Sequence, residues 1–190
     1  MEPAFDVIVA GLGAMGCGLP ASIGVCLAGG RRRTLCVDGD GGFQFNIQEL
    51  ATVRQLNLPI KFLVLNNDGY ASIRASQSSF FGSPQVGCDE RTGLMIPDLS
   101  KVAASYDIPS VRILGQENLR EQVRQVLEMP GPVICDVHVI PDELRGPRLS
   151  SAMRPDGSMV SKPLEDLWPF LDRDEFYANM IVAPLEESHV

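Results

Sequence analysis

Two short apolar runs, each closed by a polar cluster and separated by helix-length sequence, constrain the fold of this chain more than any other feature. Thr34 to Asp38 (TLCVD) and Ile60 to Asn66 (IKFLVLN) read as buried strands, and Phe45 to Asn57 as the helix between them. Together they make a βαβ unit. A right-handed crossover lays such strands side by side or nearly so, with their carboxyl ends on one edge. The clusters that close them, Gly39-Asp40-Gly41 and Asn66-Asn67, therefore meet where open α/β sheets bind ligands.

The residue types at that edge suit a divalent cation holding a diphosphate. Mg²⁺ prefers near-octahedral oxygen coordination, takes one or two protein ligands and leaves other positions to phosphate oxygens and water. Asp40 offers an anionic oxygen and Asn67 a neutral one. Gly39, Gly41 and Gly42 let backbone N–H groups approach a diphosphate, and the helix that follows can point its positive end at it. The chain carries a net charge of -8, and no Lys or Arg stands between Asp40 and Arg54, so a metal would offset charge that the protein does not.

A glycine-rich segment upstream admits a second reading. Gly11-Leu-Gly-Ala-Met-Gly16 follows a plausible strand, Phe5 to Val9, and Asp38 lies near where a ribose-binding acid belongs, which fits the dinucleotide fingerprint. Against it, Pro20 falls about one turn into the helix the fingerprint requires, and the Asp40/Asn67 pair is left without a role. Taken alone, Met15 reads as core packing, Arg74 as a contact for a substrate carboxylate or a solvated helix residue, and His138 as a satisfied strand residue.

The remaining pattern extends the βαβ unit. A helix begins near Tyr70, and Ser78 to Pro97 forms a long Gly/Ser/Pro-rich loop of the kind that tends to be functional. Asp98 N-caps a helix from Leu99 to Tyr106; a strand at Val111 to Leu114, a helix at Glu117 to Glu128 and a strand at Val133 to Ile140 follow. The expected fold is α/β: a doubly wound, mostly parallel sheet with helices on both faces over 1–140, and an irregular C-terminal extension, 141–190, that packs over a surface. With 190 residues and 45% hydrophobic content, the chain can bury one good core. The five cysteines form no Cys-x-x-Cys pair and read as reduced, mostly buried thiols. No signal peptide or membrane span is apparent, so a cytoplasmic setting is expected. The acidic balance, broken only by Arg31-Arg32-Arg33 in a turn, disfavours nucleic acid.

Gly39-Asp40-Gly41, then a helix and a strand, then Asn66-Asn67, resembles the diphosphate-binding (PP) module of thiamine-diphosphate enzymes of the acetolactate synthase and pyruvate decarboxylase superfamily. The segment from Gly11 to Gly24 is similar to the part of that module that holds the cofactor's rings, and the resemblance runs from about Gly11 to Val139. It implies thiamine diphosphate and Mg²⁺ as cofactors, with Asp40, Asn67 and the Gly69 carbonyl as metal ligands. By the same resemblance Gly41 and Gly42 would touch the diphosphate, Gly13 and Met15 fall where the pyrimidine binds, and Ala14, Gly39, Tyr70 and Ala71 join them as cofactor-binding residues. The Gly13 carbonyl and the Met15 N–H would bond the pyrimidine, and the Met15 side chain would hold the two rings bent.

The resemblance also implies what a single module lacks. The family's catalytic glutamate belongs to a separate pyrimidine-binding (PYR) domain, so no catalytic residue is assigned within this chain. A split enzyme is expected, with a PYR-domain partner in a heterotetramer and a small 2-oxo acid as substrate; a truncated gene or gene product is the alternative to a natural split. Asn46 to Arg54 resembles acetolactate synthases, which favours decarboxylation followed by acyl transfer to a carbonyl acceptor. The family's Gly-Met-Val-x-Gln-Trp is replaced by Ala71-Ser-Ile-Arg-Ala-Ser76, without the tryptophan associated with acceptor choice. Asn66-Asn-Asp-Gly-Tyr70 is closer to pyruvate decarboxylases, which keeps a simple 2-oxo acid decarboxylase open, alongside a non-catalytic partner-binding subunit. No flavin is expected.

Overall fold

The computed structural model describes residues 6–9, 14–81, 84–141, 143, 146–183 and 185. It divides into two compact units, 1–142 and 143–190. The first unit is a sheet of five parallel strands: β1 (Asp6–Val9), β2 (Thr34–Gly39), β3 (Ile60–Asn66), β4 (Ser110–Ile113) and β5 (Val133–His138), in spatial order β1-β2-β3-β5-β4. The chain steps in one direction as far as β4 and returns to place β5 between β3 and β4. Right-handed crossovers put helices made in the forward direction on one face and the returning helix on the other.

The packing follows that rule. Helices α1 (Gly18–Ala28), α3 (Leu50–Gln55) and α5 (Leu99–Ser105) contribute Leu19, Ile23, Leu50, Val53, Leu99 and Ala103 to one core, against Cys36, Phe62 and Ile134 of the sheet. Those three sheet residues share one cross-strand row. Their odd-numbered neighbours Leu63, Cys135 and Val111 turn to the other face, where α6 (Leu119–Glu128) covers them with Val123 and Val126. Side chains alternate across a strand, so one register decides both cores. Each fully buried Leu, Ile or Phe contributes roughly 1.5–3 kcal/mol of transfer free energy. Lys61 also lies buried, its Nζ donating to the carbonyls of Met129 and Gly131 after α6. Burial pulls its ammonium down to about 8.

Local structure departs from the sequence expectation at three places. The single helix read from Phe45 to Asn57 is α2 (Asp40–Phe43), a 3-10 segment (Gln44–Glu49) and α3, bent at Asn46 (φ -131°, ψ 33°). Helical backbone thus begins at Asp40 itself. Pro20 lies in the first turn of α1, where an unbonded N–H costs nothing, so it does not count against a dinucleotide site as the sequence reading supposed. Helix α4 (Ala71–Phe80) carries regular structure into the segment read as loop from Ser78, and a 3-10 turn (Glu90–Thr92) with a reciprocal Asp89/Thr92 cap lies within the rest of it.

The second unit contains regular structure. A hairpin pairs β6 (Ser151–Met153) with β7 (Met159–Ser161), and α7 (Arg173–Asn179) is N-capped by Asp172. Arg148 lies over the Trp168 ring, 5.2 Å from its centroid, and bridges it through the backbone. Asp166 accepts both guanidinium arms of Arg173, at 2.9 and 3.0 Å, and the Lys162 ammonium at 3.3 Å.

Candidate functional site

The strand order sets the site in the sheet's interior rather than at its margin. β2 and β3 are neighbours and end at the same level, Gly39 pairing with Leu65. Asp40, the first residue of α2, is 1% exposed. Its Oδ1 accepts from Gly41 N at 2.9 Å and its Oδ2 from Gly69 N at 2.8 Å. Burial pushes its carboxyl above the usual range, against the pull of these N–H groups, and Asp68 adds a like charge.

Asn67 completes the group. One end of its side-chain amide lies 3.2 Å from Asp40 Oδ1 and 2.8 Å from Gly69 O. With its NH₂ turned that way it donates to both. With its oxygen there, a carboxylate, an amide oxygen and a peptide carbonyl converge, which is the donor set of a hard cation such as Mg²⁺. Among the described residues no three His, Cys, Asp or Glu gather as a metal site, so any cation here would rest on one carboxylate with amide and carbonyl oxygens.

Glycine is required here for reasons the sequence did not reveal. A Cβ on Gly41 would run into the Tyr70 ring, and one on Gly42 would stand 2.6 Å from Asp38 Oδ1. Gly69 has φ +123°, and a Cβ there would strike the carbonyl of Cys88. The loop containing Cys88 is bonded to the same place, Tyr70 N donating to Cys88 O at 2.8 Å. Gly39 has an extended backbone and open space around it. Asp38, also buried and pushed up by burial, accepts from Gly39 N and turns Oδ2 to no bonded partner.

The glycine-rich segment reaches this edge through Gly16 and Asn46. Asn46 Nδ2 donates to Gly16 O at 2.7 Å, and Gly16, at φ +89°, packs against Phe45 and Asn46. The bend at Asn46 therefore ties the two motifs together, a role that the sequence reading missed. Ala14 and Met15 are exposed in the turn before α1, Met15 at 44%. Gly13 lies outside the described residues. Tyr70 N-caps α4 and accepts from Gln44 Nε2 at 3.3 Å, while Ala71 is buried behind it.

Arg74 is not the solvated helix residue that was one expectation: it is 4% exposed, and its guanidinium donates to the carbonyls of Asn67, Asp68 and Pro141. Asn66 is a further missed residue. Its Oδ1 accepts from Asp68 N, and its Nδ2 donates to Asp136, a buried carboxylate also held by Arg112 and approached by His138 at 3.2 Å. An apolar run such as PVICDVHV contains one acid, Asp136, whose burial was the available signal.

Comparison with known proteins identifies the family. Residues 2–137 match the family described as thiamine pyrophosphate enzyme, C-terminal TPP binding domain. Acetolactate synthase 2 (chloroplastic) of Brassica napus is 39% identical over 141 residues, 69% of this chain and 22% of that protein. The acetolactate synthase large subunit of Porphyra purpurea is 36% identical over 134 residues, 70% of this chain and 22% of that protein. The chain thus spans 22% of the length of these relatives. No helix among the described residues is long and apolar enough to cross a membrane. By a match that covers residues 2–137, and by a parallel α/β sheet that agrees with it, the chain belongs to the thiamine pyrophosphate enzyme family as its C-terminal TPP-binding domain.

Proposed function

We propose that this chain is the cofactor-binding part of a thiamine-diphosphate- and Mg²⁺-dependent enzyme that decarboxylates a 2-oxo acid and transfers the acyl unit to a carbonyl acceptor. The observation that carries the reading is the convergence of Asp40, the Asn67 amide and the Gly69 carbonyl within 3.2 Å. Asp40 and Asn67, with Gly69 O, would hold the metal, and the backbone of Gly39, Gly41 and Gly42 would line the diphosphate. Ala14 and Met15, with Gly13, would meet the pyrimidine, and Asn46 ties the Gly16 end of that turn to the segment after α2. When bound, thiamine diphosphate would supply a nucleophilic carbon that adds to a carbonyl and a cationic ring that takes up the electron pair left by loss of CO₂. The names of the relatives support acyl transfer as the outcome.

A PYR-domain partner completes the site in this reading. Helix α1 supports it: GLPASIGVCLA has no charged residue, and its outward side, with Val25 at 39% and Leu27 at 44% exposure, is apolar. A helix apolar on all sides is normally covered. The partner would bring the glutamate that this chain does not supply.

Thermal unfolding of the chain, alone and with a PYR-domain partner, tests the reading. A ligand specific for the native state raises the midpoint. Thiamine diphosphate with Mg²⁺ is expected to raise it, NAD to leave it unchanged, and chelation of Mg²⁺ or Asp40→Ala to remove the shift, with at least a ~100-fold loss of affinity, about 2.7 kcal/mol. A shift with NAD and none with thiamine diphosphate would overturn it.

A further inference from the structure

We propose that Arg74 is the positioning residue of the metal loop, fixing the Asn67 and Gly69 oxygens by holding the backbone between them. The inference rests on the assignment of those residues as ligands above. Arg74 lies one turn into α4, its own N–H donating to Tyr70 O at 2.9 Å. Its Nη2 donates to Asn67 O at 3.1 Å and Pro141 O at 3.0 Å. Its Nη1 donates to Asp68 O at 3.4 Å and stands 3.9 Å from the buried Asp89 carboxylate.

The loop needs such a brace. Asp68 has φ +60° and Gly69 φ +123°, so consecutive residues occupy conformations that ordinary backbone avoids and that surrounding contacts must hold. One planar guanidinium takes the carbonyls of both Asn67 and Asp68, which fixes the peptide planes on either side of Asp68. Rotation of the second plane would swing Gly69 N off Asp40 and move the Gly69 Cα from which the next plane, carrying Gly69 O and Tyr70 N, is hung. Asn66, anchored on Asp136, and Cys88 O, bonded to Tyr70 N, hold the two ends of the same loop. Arg74 grips its middle. The arm on Pro141 O adds a dependence on the last residues of the first unit, and Asp89 supplies countercharge from the 81–98 segment. Lysine offers a point charge without the fork and cannot serve these carbonyls together.

Amide hydrogen exchange on the full chain tests this without cofactor. In Arg74→Ala the Gly69 and Tyr70 amides are expected to exchange at least tenfold faster, while those of Phe62 and Ile134 in the core change much less. Arg74→Lys falls between, and Arg91→Ala, which removes an exposed arginine from the same Asp89, leaves Gly69 and Tyr70 as they were. The half-saturating Mg²⁺ concentration for thiamine diphosphate binding, by calorimetry, is expected to rise at least tenfold in Arg74→Ala. Unaltered exchange at Gly69 and Tyr70, or equal acceleration across the core, would overturn the positioning role. If Arg74→Ala does not fold, Arg74→Lys bears the same comparison. Failure of the unmutated chain and its partner to bind thiamine diphosphate would refute the proposed function, and the exchange result would still decide the role of Arg74.

Discussion

Asp40 in the first unit and Asp166 in the second are both buried carboxylates, at 1% and 3% exposure, and the chain treats them in opposite ways. Asp166 receives a two-armed guanidinium from Arg173 and an ammonium from Lys162, and these hold its carboxyl below the usual carboxylate range. Asp40 receives the backbone N–H groups of Gly41 and Gly69 and, among the described residues, no cationic side chain pairs with it; burial pushes its carboxyl up. A carboxylate paired inside the chain is part of the fold. One that is desolvated beside further oxygens has no such internal countercharge, and under the proposed function a bound cation would supply it. Arg74 donates to the loop carbonyls of Asn67 and Asp68 and stands near Asp89.

The contrast can be broken by mutation. Asp166→Asn removes the anionic partner of two cations and is expected to destabilise the second unit by roughly 2–3 kcal/mol, short of the ~3–5 kcal/mol of a fully buried pair because Arg173 is partly solvated. Trp168 is the chain's only tryptophan and lies in that unit, so its fluorescence reports the loss during thermal unfolding. No change in that transition would mean that the Asp166 cluster is a decoration.

Acid sharpens the comparison because the two carboxylates carry opposite signs. The depressed Asp166 contributes stability that is fully present above the ordinary value of 3.8 and is lost as pH falls through its lower folded value. The raised Asp38 and Asp40 bind protons more readily folded than unfolded, so their contribution grows as pH falls through their folded values toward 3.8. The Trp168 signal is therefore expected to weaken first on acidification below about pH 4, ahead of the far-ultraviolet signal that the first unit dominates. Coincident transitions would contradict the assignment. The smallest effect belongs to Asp40→Asn without metal, which exchanges a buried charge lacking a cationic partner for a neutral isostere. Its midpoint should stay within the equivalent of about 1 kcal/mol, measured by the same thermal unfolding, against the larger loss from Asp166→Asn.

Much of the first unit was legible because strand and helix periods are local. The runs at Thr34 and Ile60 are strands, and Asp98 caps α5 as its side chain predicts, accepting from Ser100 N and Lys101 N. The bend at Asn46 was not legible, since nothing in the Phe45 to Asn57 pattern signals a side chain that leaves its helix to bond Gly16. Arg74 was misread for a related reason. Spacing within α4 cannot say that the backbone of the preceding loop and Pro141 would close around its guanidinium. Lys61 lies within a run read as buried, but nothing local says what accepts its ammonium: the turn after α6 offers the two carbonyls that make its burial tolerable. The hairpin of the second unit escaped because strands of three residues are too short for alternation to show.

By itself, the sequence determined that a βαβ unit would carry Gly39-Asp40-Gly41 and Asn66-Asn67 to one edge, because crossover handedness and strand direction leave no other placement. Only the tertiary structure decided what holds those residues there. Convergence of Asp40, Asn67 and Gly69 depends on φ values at Asp68 and Gly69, on Cys88 and Asp89 from the 81–98 segment, and on Arg74 and Asp136 beneath. These are contacts between residues far apart in the chain, and no local period or spacing encodes them.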